Sequence, residues 1–286
     1  MQRPLIPPPL DADAAEYAIA VGAVDVHGAP KDDSEVVTQA LLGTPLVPLD
    51  AADGWRAVQL SDYAGWIPEA ALATRARASE QVAVVTALCA PLYETRDGQQ
   101  PTSEVYATTV LPLLADAAAS GQRLGLALPG GRSGWLDAAD CAVRPAGEPF
   151  PPHTIDEMLV FGRSLLGVPY RWGGGTARGL DCSGLAQLCY RYAGGAILRD
   201  ADQQYASIPY VVERGDLRAG DLAFFARDGR IVHVGIMLDA SQMLHADGSV
   251  RHQVTINALD PDCEDYSPRL AHLYAGARRP LPKAEP

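Results

Sequence analysis

The sequence of 286 residues contains no apolar run approaching the roughly 20 residues that a membrane-spanning helix needs, which excludes a helical membrane protein and makes a membrane a poor partner. Basic residues are scarce. The 23 Lys and Arg face 35 Asp and Glu, a formal charge of −12, and such a surface repels phosphate backbones, so no nucleic-acid partner is expected. The five cysteines, Cys89, Cys141, Cys182, Cys189 and Cys263, are odd in number and lack C-x-x-C spacing. Neither a disulfide scaffold nor a structural zinc site is suggested, and at least one thiol is free. Low-complexity sequence is absent, and 48 % apolar with 20 % charged residues excludes wholesale disorder and a fibrous protein. The start, from Met1 to Pro9, lacks the apolar core of a secretory signal. A cytoplasmic protein is the default expectation, with a periplasmic or secreted one the alternative if a leader has been removed.

The length suits two or three compact units, and the charge divides unevenly between them. Residues 1–152 carry 9 basic and 19 acidic side chains, residues 153–286 carry 14 and 16. The first half holds a weak duplication. Ser34-Glu35-Val36 recurs as Ser103-Glu104-Val105, and Gly65-Trp66-Ile67 as Gly134-Trp135-Leu136, both displaced by 69 residues. Each copy reads as short apolar runs broken by turn residues, the pattern of a small all-β barrel. The layout D-G-W-x-x-V-x-L-x-D-Y-x-G-W-I-P-x-x-x-L from Asp53 to Leu72 resembles the bacterial SH3-like domain. The second copy is more degenerate. Pro149, Pro151 and Pro152 stiffen a connector after it. The expected organisation is a tail over 1–16, SH3-like domains over 17–76 and 79–145, a linker over 146–153 and a third unit over 154–286.

In that third unit Thr154-Ile155-Asp156-Glu157 fits a helix N-cap with an acid three positions on, and Ile155, Met158, Leu159, Leu165 and Leu166 follow at helical spacing. A second helix is expected after Asp181, carried by Leu185, Leu188 and Tyr192 and stopped by Gly194-Gly195. Runs with strand character follow at 221–225, 231–238 and 242–246. Helices first and an antiparallel sheet after them make an α+β unit.

Cys182 opens the second helix, after the glycines at 173–175. Unpaired N–H groups and the dipole at a helix N-terminus favour negative charge, so a thiol there is expected to ionise more easily than in solution, as a nucleophile requires. A small buried hydrophobe is the alternative that position alone leaves open. The other four cysteines read as structural. A nucleophilic thiol needs a base, and the base a third group to orient it. His233 and His245 lie 12 apart, symmetric about Asp239, in two strand-like runs. A hairpin turning about that residue sets them face to face, while a slip of one residue sends them to opposite faces. His27, His153, His252 and His272 are read as surface residues.

Six ordered blocks then carry a resemblance: Gly167-Val168-Pro169-Tyr170-Arg171-Trp172-Gly173-Gly174, Gly179-Leu180-Asp181-Cys182-Ser183-Gly184-Leu185, Leu198-Arg199-Asp200, Gly220-Asp221-Leu222-Ala223-Phe224-Phe225, His233-Val234-Gly235-Ile236 and His245-Ala246. Together they resemble the NlpC/P60 cysteine peptidases. With two SH3-like domains ahead, the arrangement is similar to the γ-D-glutamyl-L-diamino acid endopeptidases of that family. The resemblance implies an α+β fold, a papain-like catalytic domain preceded by two small all-β barrels. It implies Cys182 as nucleophile, His233 as general base and later acid, and His245 as orienting third member. Tyr170 would help the Cys182 N–H hold the oxyanion. Asp181 and Ser183 would shape the site and bind the γ-linked D-glutamate. Asp200 would bind the free amino group of a leading L-alanine, and Asp62 of the first barrel would add to that acidic wall. Trp172 and the glycines after it are expected to build the loop rather than touch substrate. Ala201 departs from the serine common at that position in the subgroup, which puts glutamate recognition in question.

The expected activity is hydrolysis of the γ-D-glutamyl–diamino acid bond in peptidoglycan-derived peptides with a free N-terminal L-Ala, without metal or organic cofactor. The alternatives are a related thiol amidase acting on muramoyl peptides, and a non-catalytic wall-binding module.

Overall fold

The computed structural model describes residues 15–114 and 122–280, so residues 1–14 of the expected tail lie outside it. The chain divides into two compact units, Met1–Pro149 and Phe150–Pro286.

The N-terminal unit is built from strands in two groups. The first comprises β1 (Tyr17–Ile19), β2 (Ala23–His27), β3 (Val36–Leu41), β4 (Pro45–Ala52), β5 (Trp55–Gln59), β6 (Ala64–Pro68) and β7 (Leu72–Thr74). The second comprises β8 (Gln81–Val85), β9 (Cys89–Leu92), β10 (Ser103–Tyr106), β11 (Val110–Pro112), β12 (Arg123–Leu128), β13 (Arg132–Asp137) and β14 (Cys141–Pro145). Both groups share one wiring, all antiparallel. The second strand pairs with the third, the fifth with the sixth, and the first with both the fourth and the seventh. A single 3₁₀ turn precedes the last strand in each, Glu69–Ala71 and Ala138–Asp140. These turns are offset by the same 69 residues as the sequence repeat.

Local chemistry explains the strands. Asp53 and Gly54 both have positive φ, 47° and 84°, the two-residue hairpin turn whose twist matches the strands it joins, and it connects β4 to β5. Inward side chains such as Ile19, Val26, Leu46, Val58 and Ile67 close a core in the first group. Val85, Val105, Leu111, Leu126 and Leu136 do so in the second. At ~1.5–3 kcal/mol for each fully buried aliphatic side chain, these cores hold the barrels without buried charge. The two groups meet closely at Gly22, where an added Cβ would lie 2.0 Å from the Glu104 carbonyl oxygen. His27 is not a surface residue as expected. It is 8 % exposed, edge-on to Trp55 at 5.0 Å, because it ends β2 opposite Trp66 and turns its ring inward.

In the C-terminal unit Thr154 and Glu157 form the expected capping box ahead of α1 (Ile155–Ser164). A short hairpin, β15 (Gly175–Thr176) and β16 (Gly179–Leu180), leads into α2 (Cys182–Tyr192), followed by α3 (Ala201–Ser207). A six-stranded antiparallel sheet is then formed by β17 (Val211–Val212), β18 (Leu222–Arg227), β19 (Arg230–Met237), β20 (Gln242–Asp247), β21 (Gln253–Ala258) and β22 (Tyr274–Arg278) in the order β17-β22-β18-β19-β20-β21. The helix α4 (Pro268–Leu273) precedes the last of these strands. Gly162 lets α1 approach the sheet, since a Cβ there would meet Leu244 at 2.9 Å and the Cys189 sulfur at 3.3 Å. His153 also departs from expectation, stacking on Tyr192 at 4.9 Å.

Candidate active site

The N-terminus of α2 is fixed by one carboxylate. Asp181 is its N-cap: Oδ1 accepts from the Gly184 N–H at 2.7 Å and Oδ2 from the Gly173 N–H at 2.9 Å, tying the helix to the glycine loop. The fit depends on having no side chain at Gly184, where a Cβ would lie 2.2 Å from the Gly174 carbonyl oxygen. Arg199, 1 % exposed, closes the arrangement by donating to both Asp181 oxygens at 2.9 and 2.7 Å and to the Ser183 hydroxyl at 2.9 Å.

Cys182 therefore stands in the first turn of α2, 9 % exposed, with its sulfur against the backbone N–H groups of Val234 and Ser183. Its acidity departs from expectation. Burial, and after it the Asp181 charge, push the thiol up to about 12, outweighing the N–H groups and Arg199 that favour the anion. Burial thus favours the neutral thiol over the anion.

Val234 follows His233 in β19, so the sulfur meets that strand at the residue after the first histidine. His233 Nε2 lies 2.9 Å from His245 Nδ1, and His245 Nε2 lies 3.0 Å from Asn257 Oδ1. The route to this contact differs from a hairpin symmetric about Asp239. Ile236 pairs with Leu244 and Met237 with Met243, which centres the turn on Ala240. A shift of two residues preserves the face, so the rings meet diagonally. Gly235 makes room, since a Cβ there would touch the His245 Cβ at 3.3 Å. Burial first, then repulsion from His245 and Arg269, lowers His233 well below the usual histidine range, and burial lowers His245 too.

Tyr170 lies near enough to Cys182 and Asp181 for their charges to add to burial in raising its phenol. Its ring packs on Gly248, where a Cβ would come 2.6 Å from it. Ser183 follows the thiol and points its hydroxyl at Asp181, 3.3 Å away. Asp200 is the N-cap of α3, its backbone N–H donating to Gln203 at 3.2 Å. Asp62 lies between β5 and β6, in the N-terminal unit rather than the one that carries Cys182. Trp172 is 62 % exposed. Among the described residues no group of His, Cys, Asp and Glu is arranged to hold a metal, and no helix is long and apolar enough to cross a membrane.

Residues 167–267 match the NlpC/P60 family, and residues 26–72 match the bacterial dipeptidyl-peptidase SH3 domain. The chain is 31 % identical over 265 residues to the Gamma-D-glutamyl-L-lysine dipeptidyl-peptidase of Bacillus cereus, covering 87 % of this chain and 76 % of that one. The chain belongs to the NlpC/P60 family. A crystal structure of an NlpC/P60 protein from Bacillus cereus superimposes with a TM-score of 0.80 at 27 % identity, over 93 % of this chain and all of the other. The Murein DD-endopeptidase MepS/Murein LD-carboxypeptidase of Escherichia coli K12 is 39 % identical over 118 residues, 41 % of this chain and 58 % of its own. This NlpC/P60 protein is a cysteine peptidase with an all-β SH3-like region ahead of its α+β domain.

Three residues of this NlpC/P60 site escaped sequence reasoning as functional candidates. Arg199 lay inside a motif but carried no assigned role. Asp247 is 2 % exposed and accepts from the Ser249 and Arg251 N–H groups at 3.0 and 2.9 Å, contacts that hold its carboxyl well below the usual range despite burial. Asn257 has no local signature, and only the pairing of β20 with β21 brings it to His245. Residues 253–258 were not among the expected strands, so nothing pointed to what Asn257 would meet.

Proposed function

We propose that this peptidase hydrolyses the bond between γ-D-glutamate and the following diamino acid in peptidoglycan-derived peptides whose leading L-alanine has a free amino group. The observation that carries the reading is the Cys182 sulfur against the Val234 N–H, on the strand whose preceding residue, His233, has its Nε2 on His245. The choice of bond is supported by the Bacillus cereus relative, which matches along both the SH3-like region and the catalytic domain. We assign 17–76 and 79–145 to SH3-like modules and 154–286 to the peptidase.

In the reaction the Cys182 proton passes to His233 Nδ1 as the sulfur attacks the γ-carbonyl carbon. The oxyanion is held by the Cys182 N–H and the Tyr170 hydroxyl. His233 then gives the proton to the leaving amine, the C–N bond breaks, and a thioester remains. Water, losing its proton to His233, hydrolyses the thioester and restores the thiol. Asp181 and Arg199 position Cys182 and Ser183. Asp200 supplies a carboxylate for the substrate ammonium, and a desolvated ammonium requires such a partner.

The test is product analysis by mass spectrometry. A free-amine tripeptide should release L-Ala-γ-D-Glu, and Cys182→Ala should abolish the release. Release of the intact peptide from a muramoyl-blocked substrate would replace this reading with an amidase. The thiolate absorbance near 240 nm should rise only well above the ordinary thiol range of about 8.5.

A further inference from the structure

We infer that Asn257 is the positioning residue that sets the protonation of the whole Cys–His–His relay, leaving His233 with a bare Nδ1 for the thiol. The inference rests on the roles proposed above for Cys182 and His233, and concerns how the base is kept in its competent form.

A side-chain amide has an acceptor end and a donor end. The Asn257 Nδ2 lies 3.1 Å from the Asp265 carbonyl oxygen, which can only accept. That carbonyl is itself anchored by the Ala258 N–H at 2.8 Å. The amide is thereby oriented one way, with Oδ1 toward His245. Because Oδ1 only accepts, His245 Nε2 must carry the proton across their 3.0 Å contact. A neutral imidazole has one N–H, so His245 Nδ1 presents a lone pair. Neutrality follows from the complete burial of His245, which disfavours the imidazolium. The lone pair faces His233 Nε2 at 2.9 Å, which must then be the protonated nitrogen of that ring. What remains is an unprotonated Nδ1 on His233, free to take the thiol proton. A backbone carbonyl in the loop after β21 thus fixes, through one amide and two rings, the lone pair that does the work.

The third member of the relay ends on a neutral amide rather than a carboxylate. The charged groups around the rings are Asp247 and Arg269, of opposite sign, with the protonated thiol of Cys182 on the facing helix. Asp247, and for His245 the Asn257 contact, favour the charged rings, but burial outweighs them and disfavours the imidazolium.

Long-range proton–nitrogen correlation spectra of the full chain, uniformly ¹⁵N-labelled and near neutral pH, should show both His233 and His245 protonated at Nε2. Asn257→Ala should convert His245 to a tautomer mixture. It should lower kcat about tenfold or more with KM nearly unchanged, within the roughly 10²–10⁴-fold that a positioned general base supplies. Asn257→Asp keeps the acceptor and loses the donor. It should restore the Nε2 tautomer and most of kcat, while its negative charge moves the acid limb of kcat/KM to higher pH. His245 protonated at Nδ1 in the wild type, or Asn257→Ala with kcat and pH profile unchanged, overturns the inference. If Asn257→Ala does not fold, the wild-type spectra and Asn257→Asp decide it. Failure of the peptidase reading looks different: a wild type without turnover, or a Cys182→Ala variant that keeps it, with the tautomers still measurable.

Discussion

Among the described residues, the N-terminal unit buries His27, Thr38, Thr108 and Thr109 as its polar side chains, none of them a carboxylate or guanidinium. The C-terminal unit buries Asp181, Arg199, Asp221, His245 and Asp247. A carboxylate or guanidinium taken from water costs several kcal/mol and survives only when paired and hydrogen-bonded. Asp181 meets Arg199, and Asp221 meets Arg279 at 2.7 and 2.8 Å. The barrels are held by apolar contact, whereas the peptidase domain also buries ion pairs, one of which, Asp181–Arg199, fixes the start of the helix that carries Cys182. The difference is one of how each unit is held together: apolar packing alone, or packing with buried ion pairs.

The comparison can be broken most sharply at Arg199. Arg199→Met leaves Asp181 buried and uncompensated, and urea unfolding should show a loss of about 3–5 kcal/mol in the C-terminal unit. A loss below about 1 kcal/mol would mean the pair is not structural. In the barrels the matching experiment is a cavity. Ile67→Ala, at a fully buried position, should cost about 2–4 kcal/mol in the N-terminal unit.

Acid should separate the units next. His233 and His245 have lowered values, so below about pH 6.5 the unfolded chain binds protons that the native rings refuse. Their contribution to stability is present above that pH and is lost as pH falls. Asp247, also lowered, adds a second loss below about pH 4. Stability measured against pH should fall in these two windows, and His245→Gln should flatten the first. The smallest effect is expected at Arg56, whose pair with Glu69 on the first barrel is partly exposed. Arg56→Ala should cost less than about 1 kcal/mol, and less still at high salt.

Much of this was legible in the sequence because it is local. The capping box at Thr154, the cap at Asp181, the hairpin at Asp53-Gly54 and the apolar runs of β18 to β20 all rest on residues a few positions apart. The 69-residue repeat also foretold a shared wiring, even where the second copy had lost its aromatics. What was not legible depends on pairing at a distance. The turn centred on Ala240 rather than Asp239, and since either register keeps the histidines on one face the sequence alone leaves both open. Asn257 becomes functional only when β21 joins β20. The acidity expected of Cys182 failed for a related reason: helix position is visible in sequence, but the depth of the sulfur and the hold of Arg199 on Asp181 are not.

A sulfur kept protonated until an acyl group arrives is a poor target for peroxide or for exchange with foreign disulfides, since both reactions proceed through the anion. The depth of Cys182 thus sets standing reactivity against chemical endurance.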